Sequence, residues 1–147
     1  MDIMEKEQEI IKEFSDLSDW TERYKHIIKL GRTLEPLDDK HMIEENLVRG
    51  CQSQVWLVTN FEDDNVIFKG ESDAAIVKGL VALMIRFYSG EAPETILNTP
   101  PMFIKKIGMS QHLSPTRSNG LASMVKQMKI YAMAYKSKQE KEAEKVG

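Results

Sequence analysis

With 147 residues, 41% hydrophobic and 29% charged, the chain has the length and make-up of one ordinary globular domain. A domain this size buries about 70% of the surface its unfolded chain exposes, enough to fold without disulfides or metal. A net charge of −3, from 20 basic and 23 acidic residues, argues against a nucleic-acid-binding domain, and no apolar run approaches the roughly 18 residues that a membrane-spanning helix needs.

Ile3, Ile10, Ile11 and Phe14 recur at helical spacing, so residues 3–14 are predicted to form an amphipathic helix. The opening stretch MDIMEKEQEI is acidic and lacks the apolar core of a secretion signal, which points to a cytoplasmic protein. Asp19 is placed to cap a second helix, with Glu22 completing a capping box and Gly31 ending it. Trp20, Tyr24, Ile27 and Ile28 share the inward face of that helix. Pro36, Asp38 and Asp39 mark a connection. Residues 54–59, QVWLVT, are short, apolar and rich in β-branched side chains, the signature of a strand. Residues 66–69 make a second strand across a polar turn at 62–65, so the two are predicted to form a hairpin. Residues 46–48 are expected to add an outer strand.

An apolar helix follows, capped by Ser72 or Asp73, running to about Ser89 and closed by Gly90. It is hydrophobic nearly all round, which places it at the centre of the fold. Pro93 opens a short helix, and residues 101–107 form another, closed by Gly108. GMSQHL, residues 108–113, reads as a loop. Ser114 and Pro115 then serve as N-cap and first residue of a last helix, with Leu121, Met124, Val125, Met128 and Ala132 on its apolar face. Charges alternate from Lys136 onward. The expected organisation is a single domain over 1–138, with a disordered, charged tail at 139–147.

Cys51 governs the functional reading. It is the sole cysteine, so it cannot form an internal disulfide. One thiolate cannot hold zinc or an iron–sulfur cluster, each of which takes about three or four protein ligands, and no metal site is expected. Cys51 is therefore either an apolar filler or a reactive thiol. It follows Gly50, which tolerates turns that other residues resist, and it precedes a strand. Its neighbours Gln52, Ser53 and Gln54 are polar, unlike the surroundings of a cysteine packed deep in a core.

Three segments occur in order: GCQSQVWL at 50–57, GESDAAIVKGL at 70–80 and SQHLSPTRSNGL at 110–121. Together they resemble the motifs of the SufE family of sulfur acceptors, the iron–sulfur metabolism associated domain, over roughly residues 10–135. The elements read above make an α+β chain. The resemblance implies its form, a curled antiparallel sheet of about three strands packed against helices, as in the SufE/IscU-like fold. It also implies that the cysteine matching Cys51 takes persulfide sulfur from a PLP-dependent cysteine desulfurase of the SufS type and stimulates that enzyme. The sulfur then passes to a SufB-containing scaffold complex. PLP belongs to the desulfurase, so no cofactor is expected in this chain. A homodimer is a further implication, and the related CsdE branch shares the same motifs.

Several residues join Cys51 as site candidates. Gln52 and Ser53 either hydrogen-bond the transferred sulfur or simply shape the loop. Asp73 reads first as a helix N-cap, and second as a residue that positions the Cys51 loop or contacts the desulfurase. His112 is either a satisfied loop or core histidine or a neighbour of Cys51 that steadies the thiolate or the loop. Arg117 sits near a helix start, where a cation opposes the helix dipole, so it calls for a specific partner. His26 and His41 receive no role. An iron–sulfur scaffold would need more cysteines, and a peroxide-reacting thiol enzyme would lack a resolving one. A non-catalytic module with a structural Cys51 is the remaining rival.

Overall fold

Asp2 and Asp19 start the first two helices in the same way, each carboxylate accepting the backbone N–H three residues on, Glu5 at 2.8 Å and Glu22 at 2.9 Å. A computed structural model describes residues 1–146. Helices α1 (Ile3–Ser15) and α2 (Trp20–Arg32) lead through two 3-10 turns, Asp39–His41 and Glu44–Asn46, to strands β1 (Val55–Glu62) and β2 (Asn65–Ser72). Five helices follow: α3 (Ala75–Tyr88), α4 (Pro93–Asn98), α5 (Phe103–Ile107), α6 (Met109–His112) and α7 (Pro115–Val146). No helix among the described residues is long and apolar enough to cross a membrane.

β1 and β2 pair antiparallel from Val55 opposite Ser72 to Glu62 opposite Asn65. The two-residue turn between them has Asp63 and Asp64 both at positive φ, 52° and 64°. Left-handed residues at both turn positions match the twist of the flanking strands, and aspartate tolerates that region better than most residues. One face of the hairpin, with Val55, Leu57, Val66 and Phe68, is buried against α3. α3 is the central element, and Leu80, Val81, Leu83, Met84, Phe87 and Tyr88 are all buried on it.

α2 packs on α3 at very short range. A Cβ on Gly79 would fall 2.0 Å from the Ile27 carbonyl oxygen, and one on Gly31 would fall 2.8 Å from the Gly79 nitrogen. Gly31 therefore does not end α2. It lies inside the helix, buried, and lets the two backbones meet. An ion cluster ties α1 to both neighbours: Arg86 bonds Glu13 at 2.9 Å and Glu9 at 3.0 Å, while the His26 ring meets Glu13 at 2.8 Å. Burial pushes the Glu13 carboxyl up, but hydrogen bonds from Arg86 and His26 outweigh it and hold it below the usual range. α7 crosses the hairpin, with Tyr135 Oη 3.0 Å from Thr59 Oγ1 and its ring stacked on Phe61 at 4.8 Å.

The α+β class is as expected, and four local expectations besides Gly31 need correction. The sheet has two strands, not three. Residues 46–48 contribute only an isolated bridge from Leu47 to Trp56, because the chain turns away at Arg49 and Gly50. α3 begins at Ala75, and neither Ser72 nor Asp73 is its N-cap; that position is Ala74, whose side chain makes no capping bond, while its N–H donates to the Ser72 hydroxyl at 3.3 Å. The 108–113 stretch contains a short helix, α6, in place of a loop. Finally, α7 continues through Val146, where a disordered tail was expected from 139. No Gly or Pro interrupts the chain from Leu121 to Val146, and its Ala, Lys, Glu and Gln residues favour helix. Gly147 lies outside the described residues.

Candidate functional site

The backbone N–H of Val48 donates to the Val55 carbonyl at 2.8 Å, closing residues 49–54 into a loop with Cys51 on it. The loop's far end is held at Gln54. Its N–H donates to Asp73 Oδ1 at 3.0 Å, and its carbonyl accepts the Ser72 hydroxyl at 2.8 Å. Asp73 is thus committed to the Cys51 loop, which is why α3 starts without it.

Within the loop, Gly50 has φ +93°, a region unfavourable to any residue with a Cβ. A Cβ there would also lie 2.4 Å from Ser123 Oγ. So close an approach seats Cys51 on α7, where its thiol donates to the Gly120 carbonyl at 3.4 Å. Cys51 is half-buried, and that burial pushes its thiol pKa up. Among the described residues, no cationic side chain offsets the effect.

Beside the sulfur is a cavity of about 20 Å³. Val77 and Leu80 of α3 and Met124 of α7 give it apolar walls, and Thr116, Arg117 and Gly120 close it from the start of α7. It shares Gln52, Ser53, Val77, Thr116 and Arg117 with a wider cleft of about 670 Å³ that runs between the first turns of α3 and α7. Two helix N-termini therefore flank the cleft, and both present partial positive charge to it. A nucleophilic sulfur can be held here out of bulk water, next to space for an incoming group.

Gln52, Ser53 and Arg117 line both spaces, Gln52 and Arg117 as exposed residues and Ser53 half-buried. Asp73 anchors the loop without lining either space. His112 is not brought to Cys51. Its ring stacks on Trp20, centroids 4.3 Å apart and planes 16° from parallel, and its carbonyl accepts the Tyr24 hydroxyl. It therefore does not steady the thiolate by contact. Sequence reasoning missed Gly120 and Ser123, the two α7 residues on which the loop rests. A lone glycine inside a helical pattern was the available signal for Gly120. Val77, Leu80 and Met124 carry no mark to separate them from ordinary core.

Comparison with known proteins gives three findings. The SufE family, described as an Fe-S metabolism associated domain, matches residues 8–132. An uncharacterized SufE-like protein of Rhizobium meliloti (strain 1021) is 43% identical over 129 residues, covering 84% of this chain and 92% of that one. The solution structure of a hypothetical protein from Thermus thermophilus superposes with a TM-score of 0.75 at 21% identity, covering 90% of this chain and 96% of that one. That likeness concerns the fold.

Proposed function

Because this chain belongs to the SufE family, the Fe-S metabolism associated domain, we propose that Cys51 is a sulfur acceptor that becomes a persulfide and carries one sulfur atom between two partners. The donor is a cysteine desulfurase of the SufS type, whose PLP frees sulfur from cysteine and leaves it on a desulfurase cysteine. The recipient is a SufB-containing scaffold on which iron–sulfur clusters are built.

The transfer is a thiol exchange. Cys51 gives up its proton and attacks the outer sulfur of the desulfurase persulfide. A bond forms between Cys51 Sγ and that sulfur, the persulfide bond of the donor breaks, and the donor cysteine leaves as a thiolate that can take up the proton. No external oxidant or reductant enters. Removing the persulfide frees the desulfurase for its next turnover, which accounts for stimulation of that enzyme.

One observation carries the reading: the chain's only thiol sits on a loop pinched at its base, beside a space of about 20 Å³ that shares lining residues with a wide cleft. A space of that volume takes about one water-sized atom, so a second sulfur fits against Val77, Leu80 and Met124, away from solvent reductants. Burial disfavours the thiolate, which keeps the resting thiol quiet until a partner draws the loop out. In this reading Arg117, which lines both spaces, pairs with the charge of the transferred sulfur once the loop has moved, and Gln52 and Ser53 hydrogen-bond it.

Incubation with a SufS-type desulfurase and cysteine, followed by mass spectrometry of peptides, tests the proposal. The peptide containing Cys51 should gain the mass of one sulfur and lose it on treatment with a reductant. An unmodified peptide, or a Cys51→Ser protein that still relays sulfur, rules the proposal out.

A further inference from the structure

The cavity beside Cys51 has two walls of unequal security. Val77 and Leu80 belong to α3, the buried centre of the fold. Thr116, Arg117 and Gly120 belong to the first turns of α7, where residues 114–117 and Asn119 are all exposed and Ser118 is only half-buried. Leu113 is buried before this stretch and Gly120 and Leu121 after it, but none of residues 114–119 is buried. Yet these turns supply the carbonyl that accepts the Cys51 thiol. Something has to hold the start of α7 in place.

Three residues of α2 meet that need. Trp20, Arg23 and Tyr24 follow the i, i+3, i+4 spacing that puts side chains on one helix face. Trp20 takes the His112 ring flat against its indole, and the Tyr24 hydroxyl donates to the His112 carbonyl. Arg23 lies over the same indole at 5.2 Å and donates to the Ile107 carbonyl at 3.1 Å, tying down the end of α5. The Arg23 Nε is buried and meets no acceptor among the described residues, so the guanidinium is fixed by the indole and the Ile107 carbonyl. α2 is itself locked to α3 through Gly31 and Gly79. A continuous path therefore runs from α3 through α2 and His112 to the α7 turns that cover Cys51.

We propose that His112 is a positioning residue: clamped by Trp20 and Tyr24, it holds the first turns of α7 against the Cys51 loop and so sets how readily the thiol is exposed. The clamp has functional meaning only if Cys51 is the sulfur acceptor, but it acts on thiol access whether or not a desulfurase is present.

The test is the rate at which iodoacetamide alkylates Cys51 in the full chain, measured across pH, with urea unfolding in parallel. Loss of one stacked ring pair should speed alkylation about two- to tenfold in His112→Ala, while urea unfolding stays a single cooperative transition whose midpoint falls by no more than the loss of that pair accounts for. His112→Phe keeps a stacking ring and should return the rate to that of the parent protein. Tyr24→Phe, which deletes only a hydroxyl, should also speed alkylation. An unchanged rate in His112→Ala and Tyr24→Phe overturns the clamp. So does a phenylalanine that fails to rescue, which would assign His112 a chemical role at the thiol. Sulfur loading of the parent protein by a desulfurase is scored separately: its absence, with the alkylation pattern intact, refutes the carrier reading and leaves the clamp standing.

Discussion

Replacing Gly50 by alanine should open the Cys51 loop without unfolding the protein. Two penalties apply to the closed loop. At φ +93° a Cβ costs about 1–2 kcal/mol against the neighbouring backbone. That Cβ also lands 2.4 Å from Ser123 Oγ and 3.3 Å from Ser123 Cβ. The hydroxyl is the end of a rotatable side chain and can swing aside, at about 0.5–1.5 kcal/mol if it is forced off its rotamer. The sum is about 2–3 kcal/mol, and an open loop escapes both parts. At about 1.4 kcal/mol per tenfold, the open fraction should rise about 30- to 140-fold. Alkylation of Cys51 by iodoacetamide reads that fraction directly, while urea unfolding should remain cooperative and lose no more than the same penalty of about 2–3 kcal/mol. Adding Ser123→Ala removes the hydroxyl, leaves the backbone penalty, and should bring the rate part of the way back. An alkylation rate within about twofold of the parent, or no relief from the second substitution, would refute the view that the loop is seated on α7 through Gly50.

Other substitutions probe the scaffold and its charges. Gly79→Ala sets a Cβ 2.0 Å from the Ile27 carbonyl, backbone against backbone, so α2 and α3 must part. The roughly 1 kcal/mol gained in helix propensity is outweighed, and a net loss of about 3 kcal/mol should lower Tm by about 6–12 °C; a drop under about 2 °C contradicts the close crossing. Burial raises the Cys51 thiol, so its contribution to stability is complete below the unfolded thiol pKa of about 8.5 and is lost as pH rises through the higher folded value. Urea midpoints of the parent should therefore fall more steeply above about pH 9 than those of Cys51→Ser. Tyr88 and Tyr131, also raised by burial, act in both proteins and cancel; parallel profiles would show that the thiol gains nothing from its pocket. Glu13 works in the opposite direction. Burial raises it, but the Arg86 and His26 bonds bring it below its usual value, so its contribution is present above the unfolded pKa of about 4.3 and fades as pH falls through the folded one. Arg86→Met should be less stable than the parent at neutral pH, and the gap should narrow below about pH 4. A gap independent of pH would mean that packing, not charge, is what Arg86 supplies.

Much of the fold was readable because its signals act within a few residues. Asp19 with Glu22 marked the start of α2, and Ser114 with Pro115 that of α7, where the Ser114 hydroxyl accepts the Arg117 N–H at 3.3 Å. The short, β-branched run at 54–59 and the polar turn after it marked the hairpin, and the all-round apolar helix proved central. Each failure came where a distant partner overrode a valid local rule, or where one local rule beat another. Gly31 resembled a helix stop, but a second glycine on α3 draws it into a crossing. Asp73 resembled a helix cap, but Gln54 claims its carboxylate. Charge composition at the C-terminal end suggested disorder, while helix propensity with no breaker carries α7 onward.

The candidate site divides along the same line. That the chain has a single thiol, and that it follows a glycine and precedes a strand, is written in the order of residues. What faces that thiol is not: Gly120 lies 69 positions away and meets Cys51 only because α7 folds back across the loop. His112, set in a shared motif, went to Trp20 on α2. Local order determines conformational preference and reactive type, because those depend on neighbours along the chain. Packing alone decides burial, and burial decides whether a sulfur atom is quiet or reactive.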